Sequence, residues 1–184
     1  MSNITKRAMA QSLKKMLQIK DLDKITITDI TNDCGINRQT FYYHFKDIYD
    51  LLEWIFANEV VEKIEKETTI ETWQENFKYV LNYMLKNKKF IIKTYNSLSR
   101  KTLLEFLFNQ YNTIFIEIVN DLSKNYNITK ENKIFIANFY KYGFAGIIEN
   151  WIITEMKESP ENIIKKLDVM ISGSFEEAVK KMSN

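Results

Sequence analysis

The run Thr26-Ile-Thr-Asp-Ile-Thr-Asn-Asp-Cys-Gly35-Ile-Asn-Arg-Gln-Thr-Phe-Tyr-Tyr-His-Phe-Lys46 leaves the backbone little choice. It reads as two short helices joined by a tight turn. Thr26 caps the first, with Asp29 three residues on at the spacing of a capping box. Ile27, Ile30 and Cys34 recur at helical spacing and make its inward face. Gly35 falls where the chain reverses, a position that commonly requires positive φ. Asn37 caps the second helix, and Phe41 and Phe45, one turn apart, are its inward anchors.

What those anchors leave outside carries the functional argument. At about 100° per residue, Gln39, Tyr43 and Thr40 fall roughly 160–260° from Phe41 and point away from the core. Tyr42 and His44 flank that outward face. A short helix rarely presents this set to water alone. A DNA major groove asks for it: Gln reads adenine bidentately, Thr and Tyr offer hydroxyls and apolar surface, and flanking Tyr, His and Lys46 hold phosphates. Arg38 leans coreward, but from the helix start its long side chain still reaches DNA. Thr26 and Thr28, at the start of the first helix, complete the candidate DNA contacts.

Residues 35–47, Gly-Ile-Asn-Arg-Gln-Thr-Phe-Tyr-Tyr-His-Phe-Lys-Asp, resemble the recognition helix of the TetR family of transcriptional regulators. The likeness covers roughly the first 50 residues. It departs at Asn37, where Ser is usual, and at Thr31, where a small Ala usually packs. Neither departure removes a polar reader. Beyond the head, the chain resembles the family only in helical layout. The stretch from Tyr142 to Trp151, followed by Met156 and Ser159-Pro-Glu, is similar to the dihydroxyacetone kinase regulator-like branch.

Composition sets the class of fold. With 1 Pro and 4 Gly in 184 residues, long helices are favoured over many short strands, so the expected fold is all-α. A three-helix, helix-turn-helix DNA-binding domain (1–46) precedes a helical effector-binding and dimerisation domain (47–184). The 1 Cys cannot form an intramolecular disulfide, no signal peptide opens the chain, and no segment reads as a membrane span, so a cytoplasmic protein is expected. A net charge of +2 would not by itself point to nucleic acid. There is no Gly-rich phosphate loop, nucleophile elbow or metal-ligand spacing, and the 1 His and 1 Cys fall in the reading head. An enzyme is therefore not expected, nor a cofactor or metal.

Helices are predicted over about 3–20, from Asp47 to about Lys66, and over 71–86, 88–97, 101–125, 130–157 and 160–182. Ser159-Pro160-Glu161 is a strong start signal for the last. In the first, the basic residues Lys6, Arg7, Lys14 and Lys15 approach phosphate or form a solvated face. The body holds most of the 12 Phe and 10 Tyr and all 3 Trp. Trp54, Trp73, Phe77, Tyr83, Tyr95, Phe106 and Tyr111 either line an effector pocket or fill a core. Gly143 and Gly146, each costing roughly 1 kcal/mol against Ala inside a helix, signal a packing demand, either within one subunit or between two. With Tyr142, Ala145, Ile147, Trp151, Ile164, Leu167 and Ile171 they make the expected dimer interface, two helices from each subunit. DNA readers of this size need two heads.

The family resemblance implies a homodimeric repressor on a palindromic operator in double-stranded DNA, released by a small-molecule effector. The branch resemblance implies an alternative, an activator controlled by a protein partner.

Overall fold

Every cap expected in the reading head is formed. The computed structural model describes residues 2–60, 69–97 and 100–183. Its helices are α1 (Ser2–Met16), α2 (Ile27–Cys34), α3 (Arg38–His44), α4 (Ile48–Glu59), α5 (Trp73–Lys86), α6 (Lys88–Tyr95), α7 (Arg100–Leu122), α8 (Lys130–Ile153), α9 (Pro160–Ile171) and α10 (Ser174–Lys181). A short 3-10 turn lies at Leu22–Lys24, and no strand occurs among the described residues. The fold is all-α. Residues 61–68, the last part of the predicted fourth helix, lie outside the described residues.

Thr26 accepts from the Asp29 N–H at 3.1 Å, and the Asp29 carboxylate accepts from the Thr26 N–H at 2.9 Å. Gly35 adopts φ 65°, and its N–H reaches the Asn32 carbonyl. Asn37 caps α3 through the Thr40 N–H at 2.7 Å, and Asp47 caps α4 through the Asp50 N–H at 2.9 Å. Each cap occupies donors that a helix start otherwise leaves to water.

Packing does not divide the chain at residue 46. One unit takes 1–63 and 87–106, so α4 and α6 pack with the reading head. Its core includes Leu13, Leu17, Ile30, Phe41, Leu51, Ile55, Phe56 and Phe90. The other unit takes 64–86 and 107–184. It is centred on rings: Phe144 lies 5.6 Å from Trp73, 5.0 Å from Phe77 and 4.8 Å from Phe115, and Tyr140 stacks on Phe175.

The predicted last helix, 160–182, is two helices. Ser159 and Pro160 start α9 as expected. Gly173, at φ 77°, then turns the chain, and the Ser174 hydroxyl sits 2.9 Å and 3.0 Å from the Met170 and Ile171 carbonyls that α9 leaves open. Likewise α8 ends at Ile153, before a corner in which Glu155 and Met156 both have positive φ. Among the described residues no helix is long and apolar enough to cross a membrane.

Candidate nucleic-acid interface

The reading helix α3 is pinned by one side and bare on the other. Phe41 and Phe45 are buried, with ring centroids 5.9 Å apart. Gln39 is exposed, and Tyr43 is 81% exposed, the most open tyrosine of the large exposed side chains. The side-chain polar ends of Gln39 and Tyr43 make no hydrogen bond with the described residues, so a base edge meets no internal competitor there. Tyr43 does touch His44 edge-on, at 4.9 Å between ring centroids. That contact narrows the rotamers of a side chain otherwise surrounded by water.

The remaining candidates sort by what their polar atoms already do. Arg38 donates to the Tyr42 hydroxyl at 3.3 Å and lies 5.9 Å from that ring, so the two form one exposed pair. Thr40 donates its hydroxyl to Asn37 at 2.9 Å, and Thr26 donates its own to Asp29 at 2.9 Å. Both hydroxyls are spent on caps. Lys46 and Thr28 are exposed. At the start of α2 the Asp29 carboxyl is held below the usual carboxylate range, first by the Thr26 N–H, then by the Thr26 hydroxyl, with Lys20 adding at 3.7 Å. A phosphate at that helix end would meet a like charge.

The basic face of α1 is mostly engaged inside the head. Lys14 pairs with Glu59 at 2.5 Å and Lys15 with Asp33 at 2.7 Å. Lys6 sits 5.5 Å and 6.0 Å from the Phe45 and Trp54 rings. The Lys15–Asp33 pair raises the lysine pKa and lowers that of the aspartate, each through its hydrogen bond to the other first. Arg7 remains exposed. Burial pushes the Cys34 thiol up, as suits a packing residue.

The described aromatics expected to line a pocket fall in two units. Trp54 and Tyr95 belong to the head unit: Trp54 packs 6.0 Å from Phe45, and Tyr95 lies under the Arg100 guanidinium at 4.6 Å. Trp73, Phe77, Tyr83 and Tyr111 belong to the other unit, where Phe77 bridges Trp73 at 6.3 Å and Tyr111 at 5.9 Å. The Phe106 side chain lies outside the described residues. The reason is topological, since α4 and α6 are recruited to the head. One loose end remains. The Tyr111 hydroxyl is fully buried without a hydrogen-bond partner among the described residues, and burial pushes its phenol far above the ordinary range.

The expected dimer residues also separate. Ala145 and Trp151 are buried in their own chain, Trp151 donating its indole N–H to the Glu158 carbonyl at 2.8 Å. Leu167 and Ile171 are buried as well, and Ile164 is half-buried. A Cβ on Gly143 or Gly146 would meet nothing within 4 Å, so neither glycine serves packing inside the chain. Both are exposed with Tyr142 and Ile147, beside an open apolar groove of about 650 Å³ between α8 and α9. Leu167 and Ile171 form part of its lining. Sequence reasoning missed Phe135, Phe139, Ile153, Val169 and Met170, all of which are exposed. Their signal was available: α8 is apolar on more than one face, which one chain's core does not use up.

Residues 71–173 match the TetR_C_8 family, described as a transcriptional regulator C-terminal region. Over 154 residues the sequence is 28% identical to the HTH-type dhaKLM operon transcriptional activator DhaS of Lactococcus lactis subsp. lactis (strain IL1403), covering 83% of this chain and 81% of that protein. A solved structure of the dihydroxyacetone kinase operon activator DhaS superimposes with a TM-score of 0.72 at 25% identity, covering 98% of this chain and 99% of that one. NalD, the secondary repressor of the MexAB-OprM multidrug efflux pump in Pseudomonas aeruginosa, shares the fold, with a TM-score of 0.52 at 13% identity over 91% of this chain and 94% of its own.

Proposed function

The chain belongs to the TetR family of transcriptional regulators, in its DhaS-like branch, and from that premise we propose that it reads a palindromic operator in double-stranded DNA as a cytoplasmic homodimer. The observation that carries this reading is α3: Phe41 and Phe45 fix one side, while Gln39 and Tyr43 stand exposed with their polar ends unengaged. Pairing is supported by the exposed apolar side chains of α8 and α9 around Gly143 and Gly146. Two heads related by a two-fold axis require half-sites about one helical turn apart or a little more.

The direction is activation, controlled by a protein partner. The relative that matches 83% of this chain is named as an activator, and the body aromatics pack ring on ring. A second reading, repression relieved by a small molecule, has one observation in its favour: the Tyr111 hydroxyl is buried without a partner, as a site awaiting a ligand would be. Fusing the recovered operator to a reporter decides the direction, since deleting the chain lowers expression under activation and raises it under repression.

The test of DNA reading is selection of bound fragments from random DNA, followed by titration of variants. Tyr43→Ala and Gln39→Ala should each cost about 1–3 kcal/mol and relax base preference. Lys46→Ala should weaken binding to all sequences and flatten its salt dependence. Unchanged affinity and preference in Tyr43→Ala would remove α3 as the reader.

A further inference from the structure

Two lysines about two turns apart on α1 fasten that helix to the head at separate points. Lys6 lies near the Phe45 and Trp54 rings, beside the recognition helix. Lys14 lies at the opposite end of α4, its ammonium 2.5 Å from the Glu59 carboxylate and 5.7 Å from the centre of the Phe90 ring. The α4 helix begins at the Asp47 cap directly after α3, and Glu59 is its last residue. At 1.5 Å per residue it is an arm of about 18 Å. A slip of about 1 Å at the Glu59 end would swing the head by roughly 3° on an arm of that length.

The pair is suited to resist such a slip. Its side chains are 22% and 31% exposed, so solvent screens it less than an open surface pair. The Phe90 face under the ammonium adds a cation–π contact, which binds the same charge to α6. Meanwhile Lys15–Asp33 joins α1 to α2, and Lys20, in the turn just beyond α1, reaches Asp29 of α2. Lys14–Glu59 is an ion pair that joins α1 to the far end of α4, away from the Lys6 contact with Trp54.

We infer that Lys14 and Glu59 are positioning residues for DNA recognition, whose ion pair fixes the aim of each head and so the half-site spacing the dimer accepts. The inference rests on the dimeric reading of a palindrome. Neither residue need touch DNA. A fixed aim lets the second head engage without being reordered, which raises its effective concentration at one spacing and lowers it at others.

The experiment titrates wild type, Lys14→Met, Glu59→Gln and the double variant by fluorescence anisotropy. The probes are the selected operator, its isolated half-site, and operators lengthened or shortened by one base pair. Met keeps the aliphatic cover over Phe90, and Gln keeps a hydrogen-bonding end, so the change is chiefly one of charge. Wild type should prefer the full operator and lose about tenfold or more on the altered spacings. The variants should hold half-site affinity within about twofold, bind the full operator about tenfold more weakly, and show a spacing penalty of about threefold or less. A folded variant that keeps the wild-type spacing penalty overturns the inference, whatever its affinity. Should Lys14→Met fail to fold, Glu59→Gln decides alone. If wild type binds half-site and full operator alike, the dimeric reading fails, and this inference falls with it.

Discussion

Two side chains show how burial and partnership set the behaviour of single residues. Tyr111 places a hydroxyl where it finds no hydrogen bond among the described residues, while its ring fills space beside Phe77. An unsatisfied buried polar group costs roughly 1–3 kcal/mol, so Tyr111→Phe should stabilise the chain by about 1 kcal/mol and raise its melting temperature. If a small molecule used that hydroxyl, the same substitution would abolish its thermal shift, so one variant also separates the two modes of control. Asp29 behaves oppositely, because its carboxylate is fully used by the cap on α2. Its pKa is lowered in the folded chain, so its contribution is present above the ordinary value of about 3.8 and is lost as pH falls below it. Asp29→Asn should therefore unfold at lower urea than wild type at neutral pH, with the gap closing in acid. A gap that persists in acid would show that charge is not the origin. The cap itself was legible from Thr26 and Asp29 three residues apart. The missing partner of Tyr111 was not, because local spacing says nothing about which distant groups surround a ring.

Elements were legible where backbone chemistry is local and obscure where it is shared. Gly35, Asn37, Asp47 and Ser159-Pro160 each mark a helix end that the structure forms there. The break between α9 and α10 was missed because apolar spacing continues from Leu167 and Ile171 into Phe175 and Val179, all buried. Only Gly173 marks it. The ion pairs that join α1 to α2 and α4 could not be foreseen, since lysines on an amphipathic helix look alike until a carboxylate is brought opposite them. The same comparison gives a pair of opposite predictions. Gly173 has open space around a would-be Cβ, yet its φ of 77° should make Gly173→Ala cost about 1 kcal/mol or more. Glu155 already bears a side chain at φ 56°, so Glu155→Gly should gain roughly 0.5–1 kcal/mol, less the added freedom of the unfolded chain. Chemical denaturation of both variants checks the pair, and equal signs would refute the backbone account.

At the scale of the whole molecule, α8 and α9 carry an exposed apolar surplus. Single exposed apolar residues are ordinary, but Phe135, Phe139, Tyr142, Ile147 and Ile153 recur along α8, with Val169 and Met170 exposed on α9. Gly146→Arg is a clean probe of that face, because the position is open in the single chain. The variant should fold, sediment as a monomer, and lose more affinity for a full operator than for a half-site. A folded Gly146→Arg dimer would move the interface elsewhere. The glycines draw attention to this stretch in the sequence, but Ala145, Trp151, Leu167 and Ile171 are buried in their own chain, because an apolar stripe alone does not say which side turns inward. In the proposed dimer, shelter of this face by pairing would also tie output to copy number. When chains are scarce, the paired form grows as the square of their abundance, so halving synthesis would cut it roughly fourfold. The regulated promoter would then respond to the regulator's own gene dosage with a threshold, even with every signal held constant.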